Sequence, residues 1–239
     1  MISIQELIIK NRLGKAYTVK NVVITGATGM VGNLILHKCL SRPDVESVSI
    51  IVRKPTGLKQ PKLIEIIHSD FSNYAEIEAN LKNQDVAFYC IGVYTGQVPE
   101  EEFSRITIDY TKAFAEILKK NSPKCTFCFL SGQGADSSGK SSIMFARDKG
   151  IAENILISLN FPQTYSFRPG YIYPVAKRKE PNLLYKIMRV LYKPFLRFLF
   201  PNNVITSEQL TDAMVEVGIQ GSNKSIFENR DIKIFNKIA

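Results

Sequence analysis

The chain has 239 residues, of which 45% are hydrophobic and 22% are charged. This size and balance predict one sizeable α/β domain with a well-buried core, and no apolar run reaches the roughly 20 residues that a helix needs to cross a bilayer. The net charge of +9 suits an anionic ligand or surface. No nucleic-acid motif accompanies this charge, so we expect no nucleic-acid partner.

Residues 1–20 precede the first predicted strand. Apolar and polar side chains are mixed here, without the uninterrupted apolar core and small-residue cleavage site of a signal peptide. We interpret this stretch as an N-terminal extension that either forms a short helix against the domain or is only partly ordered.

Strand and helix patterns alternate along residues 21–173, which predicts a mainly parallel sheet covered by helices on both faces. The expected fold is a doubly wound (Rossmann) α/β domain. Residues 174–204 depart from the alternation, and we assign 174–239 to a small C-terminal lid or substrate region together with the closing elements of the same domain. The predicted strands are Asn21–Thr25, Ser47–Val52, Ile64–His68, Asp85–Ile91, Cys125–Leu130 and Gln163–Arg168. The predicted helices are residues 30–41, 75–82, 100–120 and 144–159.

The first predicted strand runs into a glycine-rich turn, and a helix pattern follows at once. Gly26 allows the sharp turn, Gly29 lets backbone approach a pyrophosphate, and Gly32 lets the helix pack closely. The helix N-terminus directs free N–H groups and its positive dipole end toward phosphates. A tight turn without a ligand is the alternative, but the readable strand and helix favour a dinucleotide site. The predicted binding residues are Gly26, Thr28, Gly29, Met30, Val31 and Gly32.

The four cysteines do not indicate a metal or redox centre. Cys125 and Cys128 have C-x-x-C spacing, but a strand pattern continues between them and places the two thiols on opposite faces. We interpret the cysteines as strand and helix thiols of a reducing cytoplasm. His37 and His68 lie far apart in the predicted fold, so no metal is expected.

These elements, taken in order, resemble the short-chain dehydrogenase/reductase superfamily in its extended or atypical branch. The motifs that carry the resemblance are the glycine turn (25–32), Ser69-Asp70-Phe71, Cys90-Ile91-Gly92, Ile108-Asp109-Tyr110, Ser131 and Arg168-Pro169-Gly170. They cover about residues 20–173 and, more loosely, 205–218. The resemblance implies a catalytic role for Ser131. It also implies cofactor contacts from Asp70, Phe71, Cys90, Ile91, Gly92, Lys149, Pro169 and Gly170.

One position departs from the family. The catalytic Tyr-x-x-x-Lys falls on residues 145–149, so that Lys149 is kept and the tyrosine is replaced by Phe145. Phe145 has no proton to exchange with a substrate, whereas the resemblance still implies that Lys149 holds the nicotinamide ribose. Tyr94 is a candidate phenol at the carboxyl edge of the sheet, as are Tyr171 and Tyr173. For each of them an ordinary place in the pocket wall is the alternative.

The second predicted strand ends in Arg53-Lys54. An NAD site usually has an acidic residue here for the ribose 2′-hydroxyl, whereas two cations attract a 2′-phosphate. Although a solvated basic turn is the alternative, the position favours NADP as the cofactor.

Residues 183–201 form an amphipathic segment. Lys186, Arg189, Lys193 and Arg197 recur at helical spacing among apolar residues, and Pro194 interrupts the helix. Such a segment can lie on an anionic membrane. We favour a substrate lid or an oligomer contact, such as a homodimer interface, over a membrane surface.

The sequence therefore favours a cytoplasmic NADP-binding oxidoreductase, in which hydride moves between the nicotinamide and a small, partly apolar substrate. Ser131, Lys149 and Tyr94 are the candidate catalytic residues. Because the usual tyrosine is missing, a catalytically silent NADP-binding sensor or interaction protein stays open. A third alternative, based on residues 183–201, is a membrane-associated enzyme that acts on a lipid or quinone-like substrate.

Overall fold

A computed structural model describes residues 8–10, 16–176, 183–192, 199–200 and 202–238, with the backbone alone at 8–10, 16–18, 183–185 and 235–238. The strands are β1 (Ile8–Lys10), β2 (Ala16–Thr18), β3 (Lys20–Thr25), β4 (Val45–Val52), β5 (Leu63–Ile67), β6 (Val86–Tyr89), β7 (Thr126–Leu130), β8 (Gln163–Arg168), β9 (Tyr171–Tyr173), β10 (Val204–Thr206) and β11 (Ile226–Glu228). The α-helices are α1 (Met30–Ser41), α2 (Glu100–Ser104), α3 (Tyr110–Asn121), α4 (Met144–Ser158), α5 (Leu183–Leu191), α6 (Ser207–Gln220) and α7 (Asn229–Ile238).

In the part of the chain that the structure describes, the central sheet has seven parallel strands in the order β11-β8-β7-β6-β3-β4-β5. This arrangement confirms the predicted doubly wound fold. From β3 the chain builds outward through β4 and β5, then returns to place β6 on the other side of β3. The carboxyl ends of β3 and β6 therefore form the switch point at which ligands bind in open α/β sheets.

Two hydrophobic cores lie on the two faces of this sheet. Side chains alternate along each strand, so that Val22 and Ile24 pack into the core beneath α1 and α6, while Val23 packs into the core beneath α3 and α4. Cys128 belongs to the first core and Cys125 to the second, and all four cysteines are free. The predicted opposite orientation of the C-x-x-C thiols is confirmed.

Three elements differ in detail from the sequence prediction. Residues 75–81 are a 3₁₀-helix, and the long helix predicted at 100–120 passes through a π-helical turn, Arg105–Asp109, between α2 and α3. The N-terminal extension pairs β1 with β2 in an antiparallel ladder, so the short helix expected there is not formed at these residues. Its β-branched and aromatic residues suit a strand better than a helix.

The C-terminal region closes the carboxyl edge of the sheet. β9 and β10 form a separate parallel pair, and α6 begins at a capping box in which the Thr206 hydroxyl accepts from the Gln209 N–H at 3.1 Å. Tyr192, just after α5, stacks on Tyr173 with ring centroids 4.1 Å apart. Lys193, Pro194 and Arg197 lie outside the described residues. Among those described, no helix combines the length and apolarity needed to cross a bilayer.

Candidate functional site

The glycine turn joins β3 to α1 at the switch point. Gly26 has φ of +71°, and a Cβ on it would lie 2.6 Å from the Cys90 carbonyl oxygen, so only glycine fits. A Cβ on Gly32 would overlap the carbonyl oxygen of Gly26, which means that Gly32 lets α1 close onto the turn itself. Gly29 faces the cleft, and a Cβ there would contact only the Gly26 carbonyl oxygen, at 3.2 Å. No side chain caps α1, so its first N–H groups are available to an anion.

A cleft of about 310 Å³ opens in front of this turn, between the carboxyl ends of β6, β7 and β8. The predicted site residues that line it are Gly29, Met30, Val31, Cys90, Ile91, Gly92, Tyr94, Ser131, Lys149, Pro169 and Gly170. The topology thus gathers into one cleft residues that lie more than a hundred positions apart in the chain. Sequence reasoning missed the rest of the wall, Val93, Thr95, Leu130, Gly132 and Ile172. Alternation along β9 was the one available signal for Ile172.

Lys149 enters the cleft from α4. Its side chain is 93% buried, the Nζ donates to the Leu130 carbonyl oxygen at 3.0 Å, and it lies 4.8 Å from the centroid of the Phe129 ring. Burial lowers the pKa of Lys149 to about 8, against the opposing effect of the Glu153 carboxylate, which favours the charged form. A lysine in this state can exchange a proton near neutral pH.

Ser131 directly follows β7 and lies beside a buried ion pair. Its hydroxyl donates to Oε1 of Glu153 at 2.5 Å, and Arg168 donates to the same carboxylate through Nε at 3.0 Å and through Nη2 at 2.5 Å. Glu153 is 1% exposed. The Ser131 proton is therefore directed at Glu153, and the hydroxyl oxygen remains an acceptor at the cleft. The catalytic role that the resemblance implies for Ser131 stays a prediction. Sequence reasoning missed Glu153, although it follows Lys149 by one helical turn.

Phe145 takes the family's tyrosine position in space as well as in sequence, because it lines the same cleft as Lys149 and Ser131. The tip of its ring, Cζ, lies so close to Gly132 that a Cβ on that glycine would overlap it. The other side of the ring packs toward Phe103, with centroids 6.3 Å apart. The tyrosine position thus holds an apolar wall without a proton donor.

Of the three candidate phenols, only Tyr94 lines the cleft. Tyr171 and Tyr173 flank Ile172 on β9, so they point away from the face that Ile172 presents to the cleft. Tyr173 stacks instead on Tyr192. This geometry supports a packing role for Tyr171 and Tyr173 rather than a role as proton donors.

A second, basic cleft of about 710 Å³ lies on the other side of the glycine turn, where α1 meets the loop after β4. Arg53 and Lys54 both line it and are exposed, and Thr28 contributes from the turn. His37, also exposed, lines the cleft from α1, and sequence reasoning missed it. The Thr56 N–H donates to Oε1 of Glu65 at 3.2 Å, which ties this loop to β5. A small anion here would meet two cationic side chains, Arg53 and Lys54, and the imidazole of His37.

Asp70 and Phe71 line neither of the two clefts. The Asp70 carboxylate accepts from the N–H and the hydroxyl of Ser72, at 3.0 and 2.5 Å, and these bonds lower its pKa. The Phe71 ring lies 6.2 Å from that of Tyr74. Their contact with a cofactor stays a prediction. Within the described residues, no three His, Cys, Asp or Glu side chains converge as metal ligands would.

Comparison with known proteins assigns the chain to a family. A family model described as NAD(P)H-binding matches residues 26–160, more than half of the chain. Protein HTATIP2 of Rattus norvegicus is 29% identical over 165 residues, covering 68% of this chain and 67% of that protein. Protein FMP52, mitochondrial, of Candida albicans is 30% identical over 164 residues, covering 66% of this chain and 69% of that protein.

Solved structures show the same fold at low sequence identity. The Bordetella bronchiseptica enzyme WbmH in complex with NAD⁺ matches with a TM-score of 0.67 and 16% identity, over 88% of this chain and 75% of that one. MoeE5 in complex with UDP-glucose and NAD matches with a TM-score of 0.63 and 13% identity, over 92% of this chain and 82% of that one.

Proposed function

Because the chain belongs to an NAD(P)H-binding family and has the fold of the short-chain dehydrogenase/reductase type, we propose that it is an NADP-dependent oxidoreductase. Hydride would move between the nicotinamide and a small, partly apolar substrate. One observation carries the proposal: two clefts of opposite character meet at the glycine turn, a basic one at Arg53 and Lys54 and a largely apolar one that contains the buried Lys149.

The residues present fit a dinucleotide. The open space in front of Gly29 and the uncapped start of α1 suit a pyrophosphate, which lies between the two clefts in this arrangement. Arg53, Lys54 and His37 would hold a 2′-phosphate on one side, and Lys149 would contact the nicotinamide ribose on the other. The cofactor supplies the hydride.

The substrate class follows from the walls of the apolar cleft. Ile91, Val93, Phe145 and Ile172 present hydrocarbon surface, while Lys149 offers a polar group at the floor. A small aldehyde, ketone or secondary alcohol with an apolar substituent suits such a cleft, because its carbon skeleton is buried and its oxygen meets the ammonium group.

Phe145 favours a second candidate, a catalytically silent NADP-binding sensor or interaction protein. Its ring tip lies against Gly132, where the family has a reacting hydroxyl. Exposed apolar side chains on α5, among them Ile187 and Val190, favour the third candidate, a membrane-associated enzyme with a lipid or quinone-like substrate.

For the location of the protein we propose the cytoplasm, because its four cysteines are free. The name of the Candida albicans relative points to mitochondria as the alternative. As partners we propose a small-molecule substrate and a second copy of the chain, which would form a homodimer through the C-terminal region. We propose no nucleic-acid partner.

Calorimetric titration with NADPH and NADH tests the cofactor choice. We expect NADPH to bind more tightly, and Arg53→Ala to weaken NADPH binding about 10- to 100-fold, since a hydrogen bond to a charged group contributes about 1.5–3 kcal/mol. NADH binding should change little. Lys59→Ala is the matched control, because Lys59 is an exposed cation of the same loop that does not line the basic cleft. Equal affinities for the two cofactors, or an unchanged preference in Arg53→Ala, would contradict NADP binding.

Turnover is tested by following NADPH oxidation with a panel of apolar aldehydes and ketones. Reduction of at least one of them supports the oxidoreductase. Tight NADPH binding without turnover of any carbonyl or alcohol would instead support the silent sensor.

A further inference from the structure

We propose that the ammonium group of Lys149 is itself the proton donor to the substrate oxygen, in place of the tyrosine that this chain lacks. The inference rests on the proposed oxidoreductase function and assigns the acid of that reaction. In the oxidative direction the neutral amine would accept the same proton.

Two other groups at this wall are unsuited to the task. Phe145 has no acidic proton, and its ring tip rests against Gly132. The Ser131 hydroxyl donates its proton to Glu153 at 2.5 Å, and Glu153 is held by Arg168. Ser131 can therefore accept a hydrogen bond at the cleft, but its own proton is already committed.

Lys149 has ammonium hydrogens beyond the one in its described hydrogen bond, and it lines the cleft. An ammonium group carries three hydrogens, and the described hydrogen bond to the Leu130 carbonyl oxygen uses one of them. The Phe129 ring stabilises the cation from one side at 4.8 Å. Because Lys149 and Ser131 line the same cleft, a remaining N–H would be available to a substrate oxygen bound there.

The charged and titratable groups around Lys149 come from each neighbouring element. Glu153 lies on α4 itself, and its charge is largely compensated by Arg168. Cys90 follows β6, and burial raises the pKa of its thiol to about 12, so that it remains a neutral neighbour. Tyr94 lies on the opposite wall. Burial is the dominant effect and brings the pKa of Lys149 to about 8, within the range of a useful general acid.

The step balances with the hydride that a reduced nicotinamide cofactor would supply. Hydride would add to the carbonyl carbon, the C=O π bond would break, and its electron pair would become that of the alkoxide. The Lys149 N–H bond breaks as the alkoxide takes the proton, which leaves a neutral amine. Solvent would return the proton to the amine, since Lys149 keeps 7% of its surface exposed.

The first test is independent of activity. NMR of the protein with ¹³C-labelled lysine, assigned through Lys149→Arg, follows the Cε shift of each lysine with pH. We expect Lys149 to titrate at least about one pH unit below Lys124, an exposed lysine beyond α3. Titration of Lys149 together with Lys124 overturns the inference, whether or not the protein reduces a carbonyl.

The second test separates proton transfer from cofactor binding. We expect Lys149→Gln to lower kcat for carbonyl reduction about 100-fold or more, while the Kd for NADPH changes far less. Lys149→Arg keeps the charge but cannot titrate, so the loss of kcat that we expect above pH 8 in the wild type should disappear along with most of the activity. Lys124→Gln is the control for removal of a lysine.

Three outcomes of this second test contradict the inference. A rise in Kd that accounts for the whole loss in Lys149→Gln assigns the residue to ribose binding alone. Activity lost in Tyr94→Phe but kept in Lys149→Gln assigns the proton to the phenol. A Lys149 that titrates low in a protein that binds NADPH but turns over no carbonyl shows that the proposed function has failed, and the inference fails with it.

Discussion

The basic cleft and the apolar cleft lie on either side of the same glycine turn, but they are built in different ways. The basic cleft takes its positive charge from Arg53 and Lys54, two exposed side chains adjacent in one loop, and α1 adds the imidazole of His37. The apolar cleft takes its polar groups from β7 and α4, and it holds Lys149 almost completely buried. In the proposed function, the basic cleft would select the cofactor through a local, solvated motif, whereas the proton chemistry of the apolar cleft would need burial and long-range assembly.

The largest effect is expected from a substitution in the glycine turn that the two clefts share. Gly29→Val should abolish cofactor binding, a loss of more than about 100-fold, because its branched side chain would occupy the space of the pyrophosphate. The protein should remain folded, since Gly29 has an ordinary extended backbone with φ of −80°. Calorimetry measures the binding and circular dichroism the fold. If NADPH still binds, the turn serves only packing.

Lys149→Met tests, through the free energy of unfolding, whether burial of a charge distinguishes the apolar cleft from the basic one. The folded-state pKa of Lys149 is lowered to about 8, so between pH 8 and its ordinary value of 10.5 the unfolded chain binds a proton that the folded chain does not. Stability therefore rises with pH across this window, and below pH 8 the buried charge destabilises the fold. We expect Lys149→Met to raise the free energy of unfolding by about 1–2 kcal/mol at pH 7, after the lost hydrogen bond to Leu130 is subtracted.

Urea unfolding at pH 7 and above pH 10 measures this effect, with Lys124→Met as the exposed control. The gain should vanish at the higher pH. A gain that is the same at both values would show that Lys149 is not destabilised by burial of its charge.

Phe145→Tyr measures how much carbonyl reduction gains when the apolar cleft is given a phenol as a second proton donor. The added hydroxyl would lie at the ring tip beside Gly132, close to Lys149 and Ser131 in the same cleft. We expect a rise in carbonyl reduction of up to about 10-fold, rather than the about 10²–10⁴-fold that a first general acid supplies, because Lys149 already donates. The measurement is kcat with NADPH and a generic aldehyde. A much larger rise would mean that the wild type lacks a proton donor.

The smallest expected effect concerns α5, which we propose as part of a substrate lid. The backbone amides of α5 should exchange hydrogen more slowly once cofactor and substrate are bound, because a lid is only marginally stable when open. α6, already fixed in the first core, is the internal control. Unchanged exchange in α5, together with salt-sensitive binding to anionic vesicles, would favour a membrane surface instead.

The fold and the glycine turn could be predicted from the sequence, because their signals, period-two apolar strands and three glycines, each lie within a few residues. The adjacent Arg53-Lys54 is also a local signal, but its preference for NADP stays a prediction, and Asp70 and Phe71, two predicted cofactor contacts, line neither cleft. The π-helical turn at 105–109 could not be predicted, since it leaves the helical pattern of side chains almost unchanged. The N-terminal strand pair was missed because β1 is only three residues long.

The hydrogen-bond network of Ser131, Glu153 and Arg168 could not be predicted from local sequence patterns, because its members are distant in the chain. Glu153 and Arg168 lie on α4 and β8, and only the packing of α4 against the sheet brings them to Ser131. The direction of the Ser131 proton depends on that meeting. His37 was likewise read as an isolated histidine, because its distance from Arg53 depends on how α1 lies over β4.

A crystal structure of the NADPH complex tests the central claim most directly. The account predicts the 2′-phosphate within hydrogen-bond distance of Arg53 or Lys54, and the nicotinamide ring in the apolar cleft, with Lys149 as the nearest proton donor to the position of the substrate oxygen. A 2′-phosphate that points into solvent, or a nicotinamide outside that cleft, would contradict it.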